Sequence, residues 1–146
     1  LKVRAALIAA CLALCVAIHA AEQTPALAVQ DAWIRATPGV DVAAVYVTLH
    51  NTSKHAVVVV GARSPAASMA MIHESALING QSTMRPRASV RIEPRATVQF
   101  APGGLHIMLH GLNRSLAPQD EIPLVLLLEG GATLDFTARV RPLSAQ

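Results

Sequence analysis

From residue 29 onward the chain consists of short β-branched or alternating apolar runs, each soon cut off by proline, glycine or asparagine. Such punctuation leaves little room for helix and favours a sandwich or barrel. Asp31 to Thr37 is the first candidate strand and closes on Thr37-Pro38-Gly39. Ala43 to Asn51 alternates and ends in the polar turn Asn51-Thr52-Ser53-Lys54. Ala56 to Arg63 contains four consecutive valines, whose branched Cβ atoms disfavour helix. Ser68 to Ser75, Ser89 to Ile92 and Ala96 to Phe100 are shorter candidates, and Leu105 to Leu112 follows an Ala-Pro-Gly-Gly turn. Leu124 to Glu129 and Thr133 to Val140 form a hairpin across Gly130-Gly131, glycines that suit a primed turn. Nine prolines spread along the chain exclude a long helix. The fold class expected is all-β, a Greek-key sandwich or barrel.

The 146 residues allow one domain, and the first 21 read as an export leader. Lys2 and Arg4 precede an uninterrupted apolar run from Ala5 to Ile18, and Ala20-Ala21 offers small residues for cleavage. That run is shorter than the roughly 20 residues needed to span a bilayer, so no membrane span is expected after cleavage. Ile8-Ala9-Ala10-Cys11 looks like a lipoprotein box, but few apolar residues precede it, and lipidation at Cys11 is not expected. The organisation is therefore a signal peptide over 1–21, a flexible lead-in over 22–28 and a β domain over 29–142, exported to the periplasm.

Both cysteines, Cys11 and Cys15, fall inside the leader. The exported chain then has no disulfide, no thiolate metal ligand and no thiol nucleophile. Losing Lys2 and Arg4 leaves ten basic against nine acidic side chains, so the pI near 9.4 is partly a property of the leader. With a charge near zero and no basic cluster interleaved with aromatics, nucleic-acid binding is not expected.

The chemistry concentrates in four residues that pair two imidazoles with two thioethers: His73, Met84, His106 and Met108. Thioether sulfur is soft, uncharged and insensitive to pH, so it favours Cu(I) over Zn²⁺, Mg²⁺ or Ca²⁺, while imidazole suits copper in either state. In a strand, residues two apart share a face. His106, Met108 and His110 therefore project to one side of the Leu105 run, with Leu105, Ile107 and Leu109 directed to the core. Met69, Met71 and His73 share a face on an earlier strand, whereas Met84 stands near Gly80, Arg85 and Pro86 in a stretch that reads as loop. The site expected is two strands and a loop meeting near the end of the sheet, at the surface. His110 reads as a strand-face histidine near solvent or an auxiliary ligand during hand-over, and Met71 is a further candidate. His50 and His55 read as exposed turn residues, and Trp33 and Tyr46 as packing residues of the barrel, with shielding of the site as the alternative for Trp33.

The full spacing is His73, ten residues, Met84, twenty-one residues, then His106-x-Met108. It resembles the hallmark of the PCuAC-type periplasmic copper chaperones. Asp31-Ala32-Trp33-Ile34-Arg35-Ala36-Thr37-Pro38, Ala44-Val45-Tyr46 and Pro102-Gly103-Gly104-Leu105-His106-Ile107-Met108-Leu109 also look like that family. The resemblance runs from about Val29 to Pro142. It implies a cupredoxin-like β-barrel that holds Cu(I) through His73, Met84, His106 and Met108. It also implies delivery by ligand exchange to a copper-accepting partner, such as an oxidase copper subunit or another assembly chaperone, by a protein expected to be a monomer. Storage of copper against toxicity, or a metal-free interaction module, are the alternatives. The family often has Met soon after the first His, where this chain has Glu74-Ser75, and Met in place of His110. Many members also carry a His- and Met-rich tail, and these departures argue against a second copper site or a tail that captures Cu(II).

No enzymatic role is expected. Blue-copper electron transfer needs a cysteine thiolate that the exported chain lacks. Hydrolase chemistry finds no G-x-S-x-G or comparable nucleophile context.

Overall fold

The computed structural model describes residues 26–142 and 144. The signal peptide, Cys11, Cys15 and residues 22–25 of the lead-in lie outside the described residues. Ten strands follow one another: β1 Leu27–Ala36, β2 Val42–Asn51, β3 Val57–Arg63, β4 Ala67–Ile78, β5 Gln81–Pro86, β6 Val90–Ile92, β7 Thr97–Phe100, β8 Leu105–Leu112, β9 Glu121–Leu128 and β10 Thr133–Val140. They form one sheet in the order β5-β4-β8-β7-β2-β1-β10-β9-β3-β6, with β8 also paired to β2. Strands distant in sequence lie side by side, as Greek-key crossovers require. The sheet curls until β3 lies against β4, closing a barrel around the core. The expected fold class is the one observed.

Alternation builds this barrel. Ile34 on β1, Val45, Val47 and Leu49 on β2, Ile107 and Leu109 on β8, and Ile122, Leu124 and Leu126 on β9 are sealed inside. Burying a side chain of this size stabilises the fold by about 1.5–3 kcal/mol each before entropy is counted. The interleaved residues face outward, and on β4, β8, β2 and β1 that outward face carries the chemistry.

Three local features differ from the sequence expectation. Leu27 and Ala28 are not flexible lead-in: they open β1 opposite Asn51 and His50, and Leu27 is buried. The β1–β2 register breaks between Gln30 and Trp33, where Asp31 has φ 49°. The extra residue is a β-bulge, and Asp tolerates the left-handed region better than most side chains. Its consequence is a change of phase. Leu27 and Val29 pack inward before the bulge, while Ile34 and Ala36 do so after it, which turns Trp33 and Arg35 outward. The β9–β10 connection runs over the four residues Glu129 to Ala132 rather than through a primed two-residue turn. Glu129 takes its first corner, and Gly130 and Gly131 both have positive φ.

Asn51, fully buried, fastens the end of β2. Its amide donates to the carbonyls of His55 (2.7 Å), Ile92 (3.1 Å) and Glu93 (3.1 Å), while its side-chain oxygen accepts from the Ser53 N–H and hydroxyl. Gly111 matters for a different reason. It sits in β8 with φ 61°, and a Cβ there would collide with Ser68 Oγ, which donates to the His110 carbonyl at 3.1 Å. We expect Gly111→Ala to cost about 1–3 kcal/mol, from positive-φ strain and displacement of the Ser68 hydroxyl. Urea denaturation against the parent protein checks this, and an unchanged midpoint would refute the close approach of β4 and β8.

Candidate metal centre

The site is a product of strand register. In the β4–β8 ladder His73 stands opposite His106, Met71 opposite Met108, and Met69 opposite His110. Directly opposed residues of an antiparallel pair share a face. Their neighbours Ile72, Ile107 and Leu109 are buried, so all six donors lie on the outward face. Beyond β4, strand β5 adds Met84 to the same face through the pair Ser75↔Met84. All four methionines of the chain therefore share one surface with three of its six histidines.

Met84 was expected in a loop, and the structure corrects this: it belongs to strand β5. Ile78 pairs with Gln81 across Asn79-Gly80, whose φ values are 51° and 78°. Positive φ at both central residues defines a type I′ hairpin, and Asn-Gly is its most favoured sequence. This dipeptide was the signal in the sequence that could have placed β5. The tight turn also fixes which residue of β5 faces Ser75.

A second turn sets the state of His106. Ala101-Pro102-Gly103-Gly104 closes through a hydrogen bond from the Gly104 N–H to the Ala101 carbonyl at 3.0 Å, with Gly103 at φ 80°. Proline followed by a positive-φ glycine is the type II pattern. The Gly104 carbonyl leaving this turn accepts the Ser75 N–H (3.0 Å) and lies 3.0 Å from His106 Nδ1. A carbonyl only accepts, so Nδ1 carries the proton. In the neutral ring Nε2 then keeps its lone pair outward, the tautomer and carbonyl contact typical of metal-binding histidines. That Nε2 is 3.2 Å from the Met84 sulfur. In that neutral tautomer two electron-pair donors face each other, an arrangement that a bound cation would stabilise.

Exposure is graded across the cluster. Met84 is 53 % exposed and Met69 49 %, Met108 and His73 are half-buried, and His106 is 5 % exposed. The surface site expected from sequence is therefore open on its β5 side and sealed at His106. That ring is covered on the outer face and not embedded in the core. The His73 ring centroid lies 5.9 Å from His106 and 6.1 Å from His110. Burial, followed by the neighbouring His106 and His110, lowers the His73 pKa from its ordinary value. Its Nδ1 and the His110 Nε2 are buried without a hydrogen-bond partner. Among the described residues no three His, Cys, Asp or Glu side chains converge on a metal position, so an ion held here requires the thioethers.

Trp33 and Tyr46 pack on the outer face of the barrel beside the cluster rather than inside it, which for Trp33 is the shielding position that the sequence left as its alternative. Their rings lie 4.5 Å apart, and Tyr46 is 6.3 Å from His106. The Arg35 guanidinium stacks over both rings, at 5.7 and 5.5 Å, and Arg141 covers Trp33 at 4.7 Å. The bulge at Asp31 turns Trp33 outward, which alternation alone would not reveal, whereas Tyr46 faces outward by simple alternation with buried Val45 and Val47. His55 is exposed as expected, while His50 is half-buried and its Nδ1 lies 2.9 Å from the Thr97 hydroxyl.

The comparisons with known proteins agree with this picture of the β fold. The profile of the family described as "Putative lipoprotein LpqE-like" matches residues 27–140. A protein of Leifsonia xyli subsp. xyli, "Putative lipoprotein Lxx21020", is 35 % identical over 136 residues, spanning 88 % of this chain and 81 % of that protein. The chain belongs to the LpqE-like family. Among solved structures, the Cu(I) form of DR1885 from Deinococcus radiodurans superposes with TM-score 0.61 at 29 % identity, over 83 % of this chain and 81 % of that one. The copper-bound PCuAC domain from PmoF2 shares the fold, with TM-score 0.66 at 20 % identity over 80 % of this chain and 92 % of that domain. No helix among the described residues is long and apolar enough to cross a membrane.

The lowered His73 pKa has a measurable consequence. Below the ordinary imidazole value of about 6.5, the unfolded chain binds a proton that folded His73 refuses. We expect the metal-free protein to hold this contribution in full above that pH and to lose it as pH falls toward the depressed value. Denaturation midpoints between about pH 5 and 8 check this, and His73→Gln flattens the profile in that window.

Proposed function

We propose that the protein is an exported metallochaperone that binds one Cu(I) through His73, Met84, His106 and Met108 and delivers it by ligand exchange to a copper-accepting protein. The observation that carries this reading is the His106 Nε2 lone pair facing the Met84 thioether at 3.2 Å, on the face where His73 and Met108 are opposed in register. Two neutral imidazoles and two thioethers suit a soft monovalent ion and bind hard divalent ions poorly. The copper-bound form of the similar PCuAC domain and the Cu(I) form of DR1885 support the choice of metal.

A cation bound by neutral donors keeps its full positive charge, which is costly to bury. The graded exposure meets that constraint. His106 is anchored by the Gly104 carbonyl, whereas Met84 stands on an edge strand paired only with β4. In the proposed exchange a partner's donor approaches from the β5 side and replaces Met84 first, and His106 releases last. Respiratory oxidase copper centres, or an assembly chaperone that serves them, are the acceptors proposed. The lipoprotein description of the LpqE-like family supports export and returns Cys11 to consideration as a lipid-attachment site.

Competition against a chromophoric Cu(I) chelator under reducing conditions tests the ligand set. Met108→Leu and Met84→Leu each conserve volume, so we expect the fold to persist while Cu(I) affinity falls by at least about 10- to 100-fold, the scale of loss at perturbed metal sites. Undiminished affinity in a folded Met108→Leu protein would remove this assignment. Mixing the Cu(I)-loaded protein with an apo oxidase copper domain tests delivery: copper should move to the acceptor, and retention on the chaperone would favour storage.

A further inference from the structure

The donor face does not end at Met108. One cross-strand pair further along β4 and β8, Met69 stands opposite His110, with Met71 and Met108 as the intervening pair. The proposed Cu(I) site leaves His110, Met69 and Met71 unused. His110 is nonetheless held with care. Its backbone carbonyl accepts from Ser68 Oγ at 3.1 Å, and the following Gly111 adopts φ 61° to let Ser68 approach. The His110 ring stands edge-on to His73 at 6.1 Å, nearly the distance that separates His73 from His106. Its Nε2 is closed to solvent and has no hydrogen-bond partner. A polar nitrogen buried in that way is destabilising unless something binds it.

We infer that His110, with the thioethers of Met69 and Met71, forms a second position for a monovalent soft metal ion, adjoining the first and within reach of His73. The inference rests on the metal-binding reading of the same face. One imidazole with thioethers selects Cu(I) or Ag(I) over zinc or harder ions. Among the described residues no three His, Cys, Asp or Glu side chains converge on a metal position, so oxygen-rich coordination has no basis here. Met69 is half exposed, which leaves the position open to solvent at the end away from Met84. Two like charges this close repel, so the second ion binds more weakly than the first. A weaker, open position beside a tighter one is a loading station: an ion arriving at Met69 and His110 passes to the first site by exchanging onto His73. This departs from the single site that the sequence favours, and it does so through His110, one of the residues in which the chain departs from its resembled family.

Ag(I), which needs no reductant, is the probe. The exported chain is titrated with Ag(I), followed by native mass spectrometry and by histidine side-chain ¹⁵N NMR. Two equivalents should bind, the first shifting His73 and His106 and the second, weaker one shifting His110. Met69→Leu and His110→Leu should each bring the stoichiometry from two to one, and Met69 is exposed enough for its variant to keep the fold. Saturation at one equivalent with an unmoved His110 overturns the second position and leaves the first standing. A second Ag(I) that leaves His110 unmoved also overturns it. A chain that binds no Ag(I) at all removes both readings.

Discussion

The register between β4 and β8 is the constraint on which the rest of this molecule depends. Opposed pairs Ile72 with Ile107 and Ala70 with Leu109 point their side chains into the barrel. The intervening pairs, His73 with His106 and Met71 with Met108, are thereby compelled outward. A slip of one residue in a period-two structure would exchange these sets, driving imidazoles into the core and isoleucines into water. The hydrophobic effect that folds the barrel is thus also what assembles the donor cluster. No separate stabilisation of the site is needed in the metal-free chain, apart from the two turns that trim its edges. The Asn79-Gly80 hairpin sets the phase of Met84, and the Pro102-Gly103 turn presents the carbonyl that fixes the His106 tautomer.

Much of this was legible in the sequence because alternation is a local signal. Leu105 to Leu112 and Thr133 to Val140 are strands with the expected bounds, and the shared face of His106, Met108 and His110 follows from parity alone. The failures have separate physical origins. Parity is lost at a bulge, and the bulge at Asp31 reverses which side of β1 meets solvent, so Trp33 lies on the outer face. Tyr46, between buried Val45 and Val47 on β2, faces outward by alternation that the sequence already carried. Met84 was misread because Arg85 and Pro86 weigh against a strand, although proline is acceptable on an edge strand such as β5. The burial of Asn51 was hidden for a different reason. An Asn before Thr-Ser reads as a turn residue, and two of the three carbonyls that satisfy its amide come from Ile92 and Glu93, about forty residues away.

The charges around the cluster bear on how an ion would be held. Arg35 and Arg141 lie on the faces of Trp33 and Tyr46, on the β1 side of His106. Stacking on the electron-rich ring faces offsets part of the cost of holding guanidinium groups against the barrel wall. On the β5 side, Glu74 is engaged by Arg87 at 3.4 Å. The nearest acid on β4 is therefore already paired, and the donors themselves are neutral. In the proposed reading, a monovalent ion gains its binding energy from sulfur and nitrogen coordination and little from a counter-charge.

That balance suits transfer better than storage. A storage site improves as its ligands are buried, multiplied and charged, because each change slows release. Here one proposed ligand is anchored by a backbone carbonyl, another stands half exposed on an edge strand, and cations border the β1 side of His106. Met84 itself is reached from the β4–β5 edge, where the end of the hairpin also exposes Leu77 and Ile78. An acceptor that covers those apolar side chains would exclude water from the open side of the cluster while its own ligand displaces the Met84 thioether. In the proposed exchange the direction, from edge strand inward to His106, follows from which donors the fold holds rigidly and which it leaves at its border.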